Sequence, residues 1–297
     1  MAEPLRSVRM RFRTLVLATL VLATIAPAGS AAAAPAPATA YVALGDSFTA
    51  GPLIPPPDPA PPGGCMQSLL NYPHLVASHY GMTNFRDVSC SGAKTDDMFN
   101  HQNVQPGPNP PQLDAVNAGT QLVTLQIGGN DIGFGELVSC VALLPLGTPC
   151  RDRFAPGGVD QMTSRIAATR PKIDAVMASI RARAPHAAIY LLGYPSILPE
   201  NSTGCWPVMP YAPGDVPYLV NIEKQLNEML RQSAAANGAT YVDLYAPTLG
   251  HDACQLPGAR WVEPVAAAVG AAPVHPNVMG MIVAHSVLVA TLNATGP

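Results

Sequence analysis

Ser47 is the residue with the most chemistry to offer. An apolar run, Tyr41–Leu44, empties into Gly45-Asp46-Ser47-Phe48-Thr49-Ala50-Gly51, the pattern expected where a strand ends and a helix begins. Glycines flanking the serine remove side-chain bulk around its hydroxyl, and the N–H groups of a helix start can stabilise an oxyanion. A serine hydroxyl becomes a nucleophile only when a base takes its proton. Of seven histidines, His275 is the candidate base, because Pro273, Pro276 and Gly280 surround it in a loop leading into a last helix, where a side chain is held rigidly yet stays accessible. His74, His79, His186 and His285 fall in helical or strand-edge contexts that read as packing or solvent-facing; His101 and His251 are loop residues that stay open. Two further turns carry hydrogen-bond donors. Leu122–Ile127 ends in Gly128-Gly129-Asn130-Asp131, and an earlier strand ends in Ser89-Cys90-Ser91-Gly92. In an open parallel sheet ligands bind beyond the carboxyl ends of the strands, so the Asn130 amide and the Gly92 N–H belong on the same edge as Ser47, free to donate to developing negative charge.

The elements that must position these groups follow from periodicity. Five runs have strand character, Tyr41–Leu44, Phe85–Ser89, Leu122–Ile127, Ala188–Leu192 and Thr240–Leu244, separated by longer helical or loop segments. That alternation reads as α/β with a parallel sheet. Ile166, Ile173, Val176 and Ile180 share one helical face, as do Leu219, Ile222, Leu226, Met229 and Leu230, and both stripes read as core. Pro171 is expected to kink or split the first of these helices. A last helix after Asn277 carries Met281, Ile282, His285, Leu288 and Val289. The proline-rich loops Pro52–Pro62 and Pro106–Pro111 are expected to be stiff and extended, the first either a rim of the site or a plain connector. The small apolar run Val265–Ala272 reads as a loop before His275 that could shape an acyl pocket.

At 297 residues, 48% hydrophobic and 12% charged, the chain can bury one large core. A single domain over 35–297 is expected. Residues 1–34 read as a cleaved secretory signal peptide: Arg6, Arg9, Arg11 and Arg13, an apolar stretch from Leu15 to Ile25, then Ala31–Ala34. An uncleaved anchor is the lesser reading, because the apolar stretch is short and Pro27 interrupts it. Removing four arginines and Glu3 from 16 basic and 19 acidic residues leaves 12 and 18, a net charge of −6, which disfavours nucleic acid as a partner. Six cysteines in an exported chain suggest three disulfides, with 15 pairings open in principle. Sequential pairing, Cys65-Cys90, Cys140-Cys150 and Cys205-Cys254, closes three separate loops and is the expected one. No CxxC pair suggests zinc, and no metal or cofactor is expected.

Together these blocks resemble a known family. Gly45-Asp46-Ser47-Phe48-Thr49-Ala50-Gly51, Gly92, Gly128-Gly129-Asn130-Asp131 and His275-Pro276-Asn277 resemble, in order, the four signature blocks of the SGNH hydrolases, also called GDSL esterases and lipases. The resemblance is greatest to secreted actinobacterial lipases, phospholipases and esterases, which also carry six cysteines and segments like His251-Asp252-Ala253-Cys254 and Trp261-Val262-Glu263-Pro264. It implies a three-layer α/β/α, flavodoxin-like fold with a five-stranded parallel sheet. It further implies Ser47 as nucleophile, the Ser47 N–H, Gly92 and Asn130 as oxyanion hole, and His275 as base. The common pattern has an aspartate three residues before the histidine, where this chain has Ala272. Some relatives use a main-chain carbonyl instead, so the expectation is a dyad in which the Ala272 carbonyl accepts from the imidazole Nδ1. Asp243, Asp252 and Glu263 are the alternative acids, each more readily explained as a loop cap or ion pair.

The expected function is that of a secreted serine hydrolase cleaving carboxylic esters, lipid or short-chain, through an acyl-enzyme, acting as a monomer with transient contact to a lipid surface. Carbohydrate deacetylation is the enzymatic alternative, with Trp206 and Trp261 as stacking platforms; a non-catalytic, disulfide-stapled surface binding protein is the alternative of a different class. Asn201-Ser202-Thr203 and Asn293-Ala294-Thr295 match the glycosylation sequon.

Overall fold

Five short strands are buried on both faces where they carry the site. β1 (Ala40–Gly45) and β3 (Leu122–Gln126) are buried along their whole length. Strands of a parallel sheet covered by helices read as continuous apolar runs, which is why Tyr41–Leu44 and Leu122–Ile127 stand out. With β2 (Asn84–Asp87), β4 (Ala188–Leu192) and β5 (Thr240–Val242) they form one parallel sheet of order β2-β1-β3-β4-β5. The computed structural model describes residues 1–2, 40–140, 149–200, 204–212 and 214–296. The expected signal segment, beyond its first two residues, and the sequon at 201–203 lie outside the described residues. Contacts divide the chain into Met1–Ala34 and Pro35–Pro297, and the fold is that of the second unit.

Helices fill both faces. In chain order they are α1 (Ser47–Ala50), α2 (Tyr72–Tyr80), α3 (Phe134–Ser139), α4 (Cys150–Phe154), α5 (Gln161–Arg183), α6 (Asp215–Ala236) and α7 (Val278–Thr295). Alternation along the strands splits the core in two. Val42, Leu44, Val123, Leu125 and Leu191 face α5 and α6, while Tyr41, Ala43, Leu122, Tyr190 and Leu192 face α2 and α7. The result is the three-layer, five-stranded arrangement that the resemblance implied. Its strand order has its switch point between β1 and β3, where the chain goes one way from β1 to β2 and the other way to β3; ligands of doubly wound sheets bind there. Cys65–Cys90, Cys140–Cys150 and Cys205–Cys254 are paired, in the sequential pattern.

Several expectations shift. β2 stops at Asp87, two residues before the predicted end, because the Asp87 carboxylate turns back to accept the Ser89 N–H at 2.9 Å. β5 stops at Val242, since Asp243 accepts the N–H groups of Tyr245 and Ala246 and begins a turn. Pro171 does not split α5, which runs unbroken for 23 residues. Pro171 and Ala167, whose carbonyl it deprives of a helical donor, both lie on the exposed side, where solvent can make good the loss. Ile282 is exposed, because the buried stripe of α7 runs through Met281, Ala284, Leu288 and Leu292. By length and composition α7 could cross a membrane; here that stripe packs with Tyr72, Val76 and Ala77 of α2. The loop Pro52–Pro62 is a series of turns and bends, and Gln102 and Asn109 pair antiparallel around the second proline cluster, so neither loop is extended as predicted.

Candidate active site

Ser47 opens α1 directly beyond the carboxyl end of β1. Asp46 is the N-cap, its Oδ1 accepting the Phe48 N–H at 2.9 Å, and Gly51 ends the single turn in the left-handed conformation. Gly45 has no alternative residue: a Cβ there would lie 2.2 Å from Thr49 Oγ1 and 2.8 Å from the Gln126 carbonyl. Side-chain amides brace the backbone at this edge. Gln112 both accepts the Gly45 N–H at 2.8 Å and donates to the Gly45 carbonyl at 2.9 Å. Asn227 accepts the Tyr194 N–H at 2.7 Å and donates to the Tyr194 carbonyl at 3.0 Å, so the turn after β4 is held the same way.

His275 reaches Ser47 from 228 positions away, with Nε2 2.8 Å from Oγ. The loop bearing it is locked on both sides. Val262 and Pro276 form an antiparallel bridge, the Glu263 N–H donates to the His275 carbonyl, and Asn277 caps α7. Beneath it, Glu263 accepts from Arg260 at 2.7 Å, from the Asn277 amide at 2.9 Å and from the Val269 N–H at 3.0 Å, all in a nearly dry setting. Gly280 lets α7 start against this loop, since a Cβ would sit 2.4 Å from the Trp261 carbonyl.

The partner of the imidazole Nδ1 differs from the expectation. It is the Pro273 carbonyl, at 2.7 Å, and not that of Ala272. The Ala272 carbonyl is taken by the backbone N–H of His275 in a tight turn, with Val274 at φ 62°, and the turn leaves the Pro273 oxygen for the ring. Among the described residues no carboxylate touches the imidazole: Asp243 and Asp252 cap turns, and Glu263 pairs with Arg260. Burial holds the His275 pKa below its ordinary value, against the opposing pull of the Pro273 carbonyl. The ring is therefore neutral near pH 7, with Nδ1–H donated to Pro273 and Nε2 open to accept the serine proton.

Gly92 and Asn130 line the same cleft as Ser47 and His275, which also takes in Pro52, Met66, Phe134, Val138 and Ala272. The two donor turns are tied together. Asn130 Nδ2 donates to the Ala93 carbonyl at 2.9 Å, which leaves its second hydrogen for the cleft, and the Thr95 N–H and hydroxyl both donate to Asp131. Among the described residues no protein group accepts the Gly92 N–H. His74, His79, His251 and His285 are engaged elsewhere, and His101 and His186 do not line the cleft. Trp261 stacks on His251 with centroids 3.4 Å apart, and neither it nor Trp206 lines the cleft.

One part of the site escaped sequence reasoning. Tyr194, just after β4, donates its hydroxyl to Asp46 Oδ2 at 2.6 Å and accepts the Gly129 N–H at 2.8 Å. Burial pushes the Asp46 carboxyl up to about 7, with the bonds from Tyr194 and Phe48 opposing. The Gly-Tyr-Pro after a buried strand was the available signal, but nothing in it specifies the partner.

A serine hydroxyl in contact with a neutral imidazole, at the switch point of a doubly wound sheet and beside amide donors, defines the class of ester hydrolases. Residues 43–281 match the GDSL-like Lipase/Acylhydrolase family. The chain is 43% identical over 251 residues to Lipase 2 of Streptomyces coelicolor, covering 82% of each, and 34% identical over 266 residues to an esterase of Streptomyces scabiei, covering 77% of this chain and 76% of that one. Among solved structures it is similar to phospholipase A1 from Streptomyces albidoflavus (TM-score 0.69, 28% identity, 86% of this chain and 99% of that one). It is also similar to the extracellular lipase of Streptomyces rimosus (TM-score 0.67, 29% identity, 85% and 99%). The chain belongs to the GDSL-like lipase/acylhydrolase family and is a carboxylic ester hydrolase.

Proposed function

We propose that Ser47 is the nucleophile and His275 the general base of a Ser-His dyad, with the Ser47 N–H, the Gly92 N–H and the Asn130 amide as the oxyanion hole. The 2.8 Å contact between Ser47 Oγ and His275 Nε2 carries this reading. Ser47 attacks the ester carbonyl as His275 takes its proton; the imidazolium then gives that proton to the leaving alcohol, and water activated by the same ring releases the acid. Orientation of the imidazole falls to the Pro273 carbonyl, a dipole in place of a full charge. The chemistry uses only these protein groups, with no metal or cofactor.

The substrate proposed is a lipid or short-chain ester met outside the cell, residues 1–34 being a signal peptide and 35–297 a single monomeric hydrolase domain. Support comes from the extracellular character of the Streptomyces rimosus lipase and from the three disulfides. Contact with a lipid surface is supported by Leu53 and Met66, both exposed, both in the left-handed region (φ 65° and 53°), and lying beside or on the cleft rim. Among the described residues neither Trp206 nor Trp261 lines the cleft, so neither supports the sugar-platform alternative. Purified protein is expected to hydrolyse p-nitrophenyl esters and phospholipid, with Ser47→Ala abolishing both; a Ser47→Ala variant that retains turnover overturns the assignment.

A further inference from the structure

Behind the cleft lies a second, narrow space, walled by Leu198, Met209, Leu219 and Leu226 among other apolar side chains. Phe134, Val138 and Tyr194 line both spaces, and Val274, the residue before His275, reaches into the second. The two spaces therefore adjoin along these three side chains. Polar atoms are few there, and most are spoken for: the Tyr194 hydroxyl serves Asp46 and the Tyr211 hydroxyl donates to the Val138 carbonyl at 3.3 Å.

Glu223, on α6, is the exception. The residue is 7% exposed and lines this space; among the described residues its Oε2 has one partner, the Ile197 N–H at a long 3.4 Å, and Oε1 is buried with none. Neighbouring charge does not compensate, because the Lys224 ammonium is held by Glu200 at 2.6 Å. Burial, reinforced by the charge of Glu200, drives the Glu223 pKa well above the usual carboxylate range, against the weaker pulls of the Ile197 N–H and Lys224. Glu223 is thus a neutral acid with one hydroxyl to donate and an idle oxygen to accept, set in a wall of hydrocarbon.

We propose that this second space receives the acyl chain of the substrate and that Glu223 selects chains bearing a hydroxyl group. The inference rests on the Ser47 hydrolase reading. Methylenes fit the apolar walls; a plain chain leaves the carboxyl unsatisfied, whereas a hydroxyl at the matching carbon both donates to Oε1 and accepts from the acid proton. A site built around a hydrogen bond disfavours the analogue that lacks it, because its own buried group is then stranded.

The test compares kcat/KM for p-nitrophenyl octanoate and the series of its mono-hydroxylated positional isomers. In the wild type at least one isomer is expected to exceed octanoate by roughly tenfold, the equivalent of one neutral hydrogen bond. Glu223→Leu should erase that preference while keeping octanoate turnover. Glu223→Gln, neutral and able to donate and accept, should keep most of it. Octanoate cleaved as well as every isomer by the wild type overturns the proposal without any variant, and so does a preference that survives Glu223→Leu. Failure of the wild type to cleave any of these esters overturns the hydrolase reading and this one with it.

Discussion

Tyr194 and Asp46 are joined by a 2.6 Å hydrogen bond, and through the Gly129 N–H the same phenol oxygen also holds the turn after β3. Three successive strand ends, those of β1, β3 and β4, thus converge on one side chain. Because Asp46 caps the turn that carries Ser47, the position of the proposed nucleophile depends on a residue that touches neither the serine nor the imidazole by hydrogen bond. Tyr194→Phe leaves a buried carboxylate oxygen and a buried N–H without partners, at about 1–3 kcal/mol each. Chemical denaturation should register that loss, and kinetics should show kcat falling more than KM rises.

Activity should depend on pH through His275. In the proposed mechanism its neutral form is the base, and burial holds its pKa below the ordinary 6.5. Activity is therefore full above that value and lost as pH falls through it. The acid limb of kcat/KM against pH is expected to have its midpoint below 6.5, and a midpoint above it would contradict the burial argument.

Asn130→Ala removes one donor of the proposed oxyanion hole and should lower kcat by roughly 10²–10³. The same change also removes the bond to the Ala93 carbonyl. Circular dichroism of the variant separates the two effects, since a folded protein with normal turnover would remove Asn130 from the mechanism.

Glu263 tests the support beneath the imidazole loop. Glu263→Gln leaves the Arg260 guanidinium buried without a counter-charge, and breaking a buried pair by removing one partner costs about 3–5 kcal/mol. A clear drop in Tm is expected. The effect on kcat should exceed that on KM, because the loop being loosened carries His275.

That Ser47, Gly92 and Asn130 gather at one cleft was legible in the sequence because each follows a strand that stops at small or turn-forming residues, and parallel α/β sheets collect such ends on one edge; His275 joins them from the loop before α7. The five strands and the cysteine pairs were legible for related reasons of patterning and order. Contacts between side chains far apart in the chain were not. Neither Tyr194 with Asp46 nor Gln112 with Gly45 leaves any mark in local spacing. The acceptor for His275 was misplaced by one residue, from Pro273 to Ala272, because a tight turn decides which carbonyl faces the ring and which is spent on the backbone. Strand ends slipped for a similar reason, as Asp87 and Asp243 prefer to cap their own following N–H groups.

The bridge between Val262 and Pro276, with α7 seated behind it, gives catalysis a dependence on assembly. A polypeptide whose last eighth, from Val262 onward, has not yet docked has no imidazole beside Ser47 to act as the proposed proton acceptor. Such an intermediate, or a molecule nicked near Glu263, would be catalytically silent, so ester turnover reports on completion of folding as a whole.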